Sequence, residues 1–160
     1  MTHGYVRDAS EDDIQVLADN LRPADIAEIK AASGNTPGAA MLRGVQGGTS
    51  KVACLPSGTP AAIFGIVPVT PLVGGVWMVA TNDFHLLHRQ FLRECKAELG
   101  KLSADYRLIF NYTDARNTVH HRWIKWMGFT IIQRHETFGH EGRPFLEFVK
   151  ITGGAPCVNQ

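Results

Sequence analysis

The sequence predicts an α+β domain with a mixed central sheet and helices on both faces of that sheet. Two observations favour this class. Apolar strands come in hairpin-like pairs around turns rich in Gly and Pro, and amphipathic helical stretches separate these pairs. The predicted order is strand, two helices, three strands, a long helix, strand, helix, two strands. One domain is expected over residues 1–152, with residues 153–160 as a C-terminal tail.

The composition is that of an ordinary globular protein. Of the 160 residues, 44% are hydrophobic and 19% are charged, which suits one buried core. A net charge of +1 gives no overall field to recruit nucleic acid or an anionic membrane. No apolar run could span a bilayer, and the first residues lack the apolar core of a signal peptide. Cys54, Cys95 and Cys157 form no CxxC pair, which favours synthesis in a reducing cytosol.

The first third of the chain predicts an edge strand at residues 5–7, followed by two helices. The second helix, RPADIAEIKAASG, has Pro in its first turn and a closing Gly. Asp25 and Glu28 are interpreted as acids that complement the positive end of its dipole. Ile26 and Ile29 are expected to mark its buried side. Residues 39–45 could add one or two further helical turns.

The middle and the end of the chain predict two hairpins and a long helix. The predicted strands are residues 51–55, 61–67 and 76–80, then residues 130–138 and 144–151 around a Gly-His-Glu-Gly turn. Pro68 should force a bend, because proline does not serve a central strand. Residues 84–102 predict one helix, in which Cys95 falls on the apolar stripe and is interpreted as core.

The stretch LIFNYTDARNTVHHRWIKWMGF, residues 108–129, predicts a buried strand, a polar turn and a short helix. Asn117 is the expected N-cap, since its short side chain can accept a bond from a free helix N–H. Val119, Trp123 and Met127 recur every four residues and predict one apolar stripe. A helix this short needs a sheet to dock on.

This order and the ending NTVHHRWIKWMGF resemble the GNAT superfamily of N-acetyltransferases. In that fold an Asn begins the helix after the fifth strand, and a Gly-Phe pair closes it, as Asn117 and Gly128-Phe129 do here. The stretches LRPADIAEIKAASG and NYTDARNTVHHRWIKWMGF are similar to a phage family of GNAT-like proteins. That family includes the internal virion protein A of short-tailed (podovirus or autographivirus) phages and phage proteins labelled acetyltransferases. The resemblance, over residues 21–151, implies a protein of the host bacterial cytoplasm, with the virion as a second location.

An active GNAT enzyme needs a pyrophosphate loop, R/Q-x-x-G-x-G/A, before the long helix, so that backbone N–H groups can approach phosphates. The corresponding segment here, TNDFH at residues 81–85, contains no glycine, and Asp83 adds a negative charge. The usual proton-donating Tyr is replaced by Ile124. Tyr112 is a candidate catalytic substitute, although a strand tyrosine more often packs. Nothing in the sequence identifies a base for the attacking amine.

The sequence therefore favours a degenerate GNAT fold that binds no cofactor and acts through protein contacts. It would be an internal virion, assembly or genome-ejection protein that binds other phage proteins. The alternative is an acetyl-CoA-dependent N-acetyltransferase that modifies a host or phage protein. If acetyl-CoA binds, the fold family places it at Val79, Ala80, Thr81 and Asn117.

Two pairs of histidines are candidates for a metal site. His85 and His88, three apart, and the pair His120 and His121 could present metal ligands, but no cysteine or carboxylate cluster completes either set. No metal site is expected.

Trp126, Arg122 and Lys125 combine an aromatic residue with cations. Trp126 is offset from the apolar stripe and should lie at its edge or outside it. Such a group favours a protein-interface anchor. Nucleic-acid binding by a small basic module is a third hypothesis, disfavoured by the near-zero net charge.

Overall fold

The computed structural model describes residues 3–87 and 89–153. His88 and Cys157 lie outside the described residues. The strands are β1 (Tyr5–Asp8), β2 (Thr49–Cys54), β3 (Pro60–Thr70), β4 (Val73–Ala80), β5 (Leu108–Asp114), β6 (Thr130–Phe138) and β7 (Arg143–Ile151). The helices are α1 (Asp12–Asn20), α2 (Pro23–Ser33), α3 (Pro37–Gly47), α4 (Arg89–Leu102) and α5 (Thr118–Trp126), with a short 3₁₀ turn at Asn82–Leu86.

One mixed sheet of seven strands, in the order β1-β2-β3-β4-β5-β7-β6, forms the centre of the molecule. All neighbours are antiparallel except β4 and β5, which are parallel. Both predicted hairpins are present, at β2–β3 and at β6–β7. The predicted α+β class with a mixed sheet is confirmed.

Helices cover both faces of the sheet, as predicted. On one face α4 and α5 pack on the larger apolar cluster, which includes Phe64, Met78, Leu99, Ile124 and Phe148. On the other face α1 and α3 pack on a smaller cluster that includes Leu17, Met41, Ile63 and Val79. Cys95 is 2% exposed in the larger cluster, so its assignment to the core is confirmed.

Three element predictions were wrong or incomplete. The helix predicted at residues 84–102 is interrupted, because Thr81 caps a separate 3₁₀ turn and Leu87 is extended. The one or two turns predicted at residues 39–45 are a full helix, α3, whose start is capped by the Thr36 side chain. Pro68 lies within β3. It pairs there with Gly74 of β4, and the register shifts between Pro68 and Thr70, which agrees with a predicted irregularity at this proline. Pro68 is tolerated because β2 pairs with β3 only as far as Ile66, so β2 needs no N–H from Pro68.

The predicted buried faces of α2 and α5 are correct in part. Ile29 packs on the smaller cluster, and Trp123 and Met127 are buried in the larger one. Ile26 is 39% exposed and Val119 is 49% exposed, and the polar Asp25 and His120 are buried instead. Both helices turn polar side chains toward the sheet. Trp126 is 43% exposed, which agrees with its predicted position outside the apolar stripe.

The β6–β7 turn docks on the C-terminal end of α2. The backbone N–H of His140 donates to the Ala32 carbonyl at 3.1 Å, and that of Glu141 donates to the Ala31 carbonyl at 3.0 Å. These bonds satisfy carbonyls that the last turn of a helix leaves unpaired. Gly139 allows this close approach, since its φ is +69° and an added Cβ would lie 2.7 Å from both carbonyl oxygens.

Candidate functional site

The candidate site is a gap between β4 and β5, the two parallel strands of the sheet. Their pairing covers only Val73–Gly75 against Leu108–Phe110. Immediately beyond it, the Asn111 side-chain amide donates to the Val76 carbonyl at 2.6 Å, and its oxygen accepts from the Tyr112 N–H at 2.8 Å. The side chain of Asn111 thus replaces a missing ladder partner at the point where the strands separate.

Two carboxylates of α2 reach the free strand edges at the wide end of this gap. Asp25 Oδ2 accepts from the Ala80 N–H of β4 at 2.9 Å. Glu28 Oε1 accepts from the Asp114 N–H of β5 at 2.7 Å. The Ala80 carbonyl is also occupied, because it accepts from the Arg22 N–H at 3.0 Å. Helix α2 therefore closes the edges that the separated strands would otherwise leave unpaired.

Asp25 lies at the centre of this contact and is 1% exposed. It forms an ion pair with Arg22 at 2.9 Å. Its other oxygen accepts from the Asn117 amide at 3.0 Å. Asn117 in turn caps α5 by accepting from the His120 N–H, so the predicted N-cap is confirmed.

Glu28 is the charged group nearest the middle of the gap, and its side chain is 14% exposed. Its Oε2 lies 3.5 Å from His120 Nδ1. Burial tends to raise the pKa of Glu28, but His120 and the bonds donated by Thr113 and Asp114 outweigh burial and lower that pKa below its ordinary value. Glu28 is therefore an ionised, mostly buried carboxylate at neutral pH.

Three cavities follow one another across the sheet. The first, of about 620 Å³, lies under α2 and α3; the second, of about 50 Å³, lies in the gap; the third, of about 470 Å³, lies between α4 and α5. The gap cavity shares Glu28, Trp77, Asn111 and Tyr112 with the first and Trp123 with the third. The gap cavity thus separates two larger cavities on opposite faces of the sheet. Glu28 lies in the wall that the gap cavity shares with the first cavity.

The gap cavity has unsatisfied polar groups in its walls. Trp77 Nε1, His120 Nδ1 and Trp123 Nε1 are the buried side-chain atoms of the described residues that lack a hydrogen-bond partner. All three residues line the gap cavity. Because buried polar atoms are normally paired, this cluster indicates a place where a polar group or water completes the bonding.

The third cavity is cationic. Its walls are Arg89, Arg93 and Arg122, together with Leu92, Trp123 and Trp126. Arg89 is the first residue of α4, where the positive end of the helix dipole adds to the guanidinium charge. Such a site suits phosphate groups, which arginine binds through two parallel N–H donors.

The described residues between β4 and α4, 81–87, do not form a phosphate loop. Thr81 Oγ1 accepts from the Asp83 N–H at 3.2 Å, and the Thr81 carbonyl accepts from the Phe84 N–H at 3.1 Å. These amides are used within the 3₁₀ turn. The glycine-free segment thus uses within its own turn the amides that a phosphate loop would offer to a ligand. The arginines of the third cavity are better placed to hold phosphate.

The structure distributes the residues predicted to bind a cofactor over different environments. Val79 lines the first cavity. Ala80, Thr81 and Asn117 are at most 2% exposed beneath or against α2. Their role toward a cofactor stays a prediction.

Tyr112, the predicted catalytic residue, lines the first two cavities and stacks on Phe138, with 4.5 Å between ring centres. Burial raises the pKa of Tyr112, with a smaller contribution from Glu147. Its phenol therefore stays protonated at neutral pH.

Of the residues predicted to bind a partner, Arg122 and Trp126 meet in the third cavity, and Lys125 is exposed on the same helix. The Lys96 ammonium lies 5.1 Å from the centre of the Trp126 ring. The exposed ring thus has a cation over one face.

Sequence reasoning did not identify Asp25, Glu28 and His120 as site residues. The available signal was the spacing of Asp25 and Glu28, which puts both acids on the same side of α2 as the small residues Ala31 and Ala32. Small residues at that spacing allow close approach to another element. The same residues also fit an ordinary dipole-stabilised helix start, so the signal was ambiguous.

Among residues 3–87 and 89–153, no group of three or more His, Cys, Asp or Glu side chains is arranged to hold a metal ion. Within the same residues, no helix combines the length and hydrophobicity needed to cross a membrane.

No protein-family model and no curated protein sequence matches the chain. Solved structures do match it. Spermidine N-acetyltransferase from Vibrio cholerae, in complex with CoA and spermine, has a TM-score of 0.68 and 10% identity over 94% of this chain and 95% of that one. A putative acetyltransferase from Salmonella typhimurium with its cofactor acetyl-CoA has a TM-score of 0.68 and 10% identity over 98% of both chains.

Ribosomal-protein-alanine N-acetyltransferase from Brucella melitensis has a TM-score of 0.63 and 15% identity over 92% of this chain and 99% of that one. At this identity the likeness concerns the arrangement of helices and strands. In this chain that arrangement includes the mixed sheet of seven strands and the parallel β4–β5 pair. The chain has the fold of the GNAT acetyltransferases.

Proposed function

We propose that the protein is an acetyl-CoA-dependent N-acetyltransferase whose reaction takes place in the gap between β4 and β5. The observation that carries this proposal is the position of the ionised Glu28 in the wall of both the gap cavity and the large cavity under α2 and α3. A fold alone does not fix an activity, which depends on the side chains in these walls. Solved structures of the same fold with acetyl-CoA or CoA support the choice of cofactor.

The chain's own groups fit this cofactor in two places. The arginines of the third cavity suit its phosphates. The gap cavity of about 50 Å³ is far smaller than the cavities on either side of it, which suits a small group. Acetyl-CoA would supply an acetyl group as a thioester.

A backbone N–H is available to polarise a carbonyl in the gap. The Val76 carbonyl and both peptide groups of Ala80 point away from β3 toward the gap. Because strand peptide groups alternate in direction, the N–H of Met78 points the same way. A fixed N–H at the site of developing negative charge is a strong source of transition-state stabilisation.

Glu28 and Tyr112 would handle the protons. The Glu28 carboxylate would hold the ammonium form of the acceptor, and its ionised form would accept the proton that the amine loses. The protonated Tyr112 phenol would return a proton to the departing thiolate. This assigns Glu28 the role of the base that the sequence did not identify.

The test is acetyl-CoA binding by calorimetry, followed by release of free CoA thiol with an amine acceptor. Glu28→Gln keeps a side-chain oxygen for Thr113 and Asp114, so cofactor binding should survive while turnover falls at least a hundredfold. Glu136→Gln is the matched control, since the Glu136 side chain is 70% exposed. No binding at millimolar acetyl-CoA would overturn the proposal.

A second function is favoured by two features: the glycine-free 3₁₀ segment after β4, and the hydrogen bonds in which the Ala80 N–H donates to Asp25 and the Ala80 carbonyl accepts from Arg22. Both features oppose cofactor binding. In this case the protein is a GNAT-fold internal virion, assembly or ejection protein of a short-tailed phage, present in the host cytoplasm and the virion. It would bind other phage proteins through Trp126, Arg122 and Lys125.

This second function predicts that Trp126→Ala, an exposed substitution, leaves the fold intact but reduces the amount of protein in purified virions. Normal incorporation of the variant, or clear acetyl-CoA binding by the native protein, would count against it.

A further inference from the structure

We propose that the acceptor is a primary amine with an apolar or aromatic body and an anionic group at its far end, and that polyamines are excluded. This inference rests on the proposed acetyltransferase function and specifies its substrate class. It comes from the charges and walls of the large cavity under α2 and α3, which contacts the gap cavity through shared residues.

The large cavity has one charge of each sign in its walls. Glu28 is its only acidic lining residue and Arg43 its only basic one, among the described residues. Glu28 borders the gap, where the acetyl group would be transferred. Arg43 belongs to α3 and is exposed, so it marks the solvent side of the cavity. An amine held at Glu28 therefore directs the rest of the acceptor toward a guanidinium group.

Most of the remaining wall is apolar. Trp77, Tyr112 and Phe138 supply aromatic surface, and Ile29 and Val67 supply aliphatic surface. Burial of an apolar body against such walls is favourable by roughly 25 cal/mol per Å². The arrangement thus suits an amine with an uncharged middle.

A polyamine does not fit this charge pattern. Its second ammonium group would lose water in an apolar space that offers no second carboxylate, and it would approach Arg43. A carboxylate or phosphate at the same position would instead pair with the guanidinium. Selectivity therefore comes as much from repulsion between Arg43 and a cationic far end as from attraction between Arg43 and an anionic far end.

The experiment uses three acceptors with one shared body: 4-(aminomethyl)benzoate, benzylamine and 4-(aminomethyl)benzylamine. Their far ends are anionic, neutral and cationic. With acetyl-CoA, kcat/KM should fall in that order, with at least a tenfold difference between the first and the last. Arg43→Glu should reverse the positions of the anionic and cationic amines. Arg107→Glu is the control, because Arg107 is exposed and lines none of the three cavities.

Affinities of the same amines for the cofactor-free protein, measured by calorimetry, separate this inference from the proposed activity. The inference is supported if the affinities follow the same order and Arg43→Glu reverses it, even if no turnover occurs. It is overturned if the diamine binds best to the native protein, if the three bind equally or not at all, or if Arg43→Glu leaves the order unchanged. Absence of acetyl-CoA binding would count against the activity alone.

Discussion

At the scale of single residues, Asp25 connects β4, the start of α5 and the Arg22 guanidinium at the edge of the gap. Its carboxylate, 1% exposed, binds the Ala80 N–H, the Asn117 amide and the Arg22 guanidinium. Asp25→Ala would leave all three donors without this partner in a buried site. The expected loss is about 3–5 kcal/mol in the free energy of unfolding, measured by urea titration.

Asp19→Ala provides the comparison, since Asp19 is exposed and its recorded bond is to Gln15 on the same helix. Its effect should stay within about 0.5 kcal/mol. If the two variants lost similar stability, the buried network at Asp25 would not have the role assigned to it.

The residue scale also separates what the sequence could and could not predict. Asn117 was predicted as a helix cap because capping depends on a few neighbouring residues. Asp25 and Glu28 were assigned to the helix dipole because their sequence neighbours do not show which side of α2 faces the sheet. That direction is decided by how the helix docks. Their bonds to β4 and β5 span 55 and 86 positions in the chain, and no local pattern encodes them.

At the scale of elements, the β6–β7 turn and α2 form one unit through two backbone hydrogen bonds. Gly139→Ala would add strain at a φ of +69° and place a Cβ 2.7 Å from the Ala31 and Ala32 oxygens. The turn would have to move off α2. The expected loss is roughly 2–4 kcal/mol of stability by urea titration, with faster hydrogen exchange at the His140 and Glu141 amides.

Gly142→Ala tests the strain by itself. Gly142 has a φ of +65°, and an added Cβ would have its nearest contact at 3.5 Å, with the Thr137 side chain. This variant should lose only about 1–2 kcal/mol, the ordinary cost of a left-handed residue, and should keep the exchange protection of the neighbouring amides. Equal losses for the two variants would mean that the contact with α2 contributes little.

Element boundaries were predicted well where local chemistry sets them and poorly where tertiary contacts do. The β6–β7 hairpin follows from its turn residues and alternating strands. The separation of the 3₁₀ turn from α4 does not, because the apolar spacing continues through Leu87 and only the Thr81 cap marks the interruption. The position of Pro68 within β3 depends on how far β2 extends, which is a property of the sheet.

At the scale of the whole molecule, buried carboxylates predict how stability depends on pH. Asp13 accepts two hydrogen bonds from the Arg7 guanidinium, and these bonds lower the pKa of Asp13 despite the opposing effect of burial. A carboxyl with a lowered folded-state pKa stabilises the fold above its unfolded pKa, about 3.9, and this contribution is lost as pH falls through the folded pKa. The free energy of unfolding should therefore vary little near neutrality and decline below about pH 4.

Asp13→Asn removes one titrating group from this decline. The variant should be less stable than the native protein at pH 7, and the difference should shrink as the pH falls. Urea unfolding midpoints measured across the acid range give both curves, and Asp19→Asn at an exposed site should follow the native curve. Parallel curves for Asp13→Asn and the native protein would contradict the role of the Arg7 pair.

The class and the order of the elements could be predicted from the sequence because hydrophobic period and turn chemistry repeat over the entire chain. The resemblance to GNAT proteins added the fold. The site was less accessible, since its cavities exist only where β4 and β5 separate. Cavity charges such as Glu28 and Arg43 come from different helices and meet only in three dimensions.

The side-chain amide of Asn111 has one more consequence. By donating to the Val76 carbonyl, it supplies the bond that a paired strand would have made, so β4 and β5 separate at this point without leaving that carbonyl unpaired. A molecule that enters between the strands beyond Gly75 and Phe110 therefore does not have to break a β4–β5 ladder hydrogen bond. Binding energy that would otherwise be used to separate paired strands is kept for contacts with the walls of the gap.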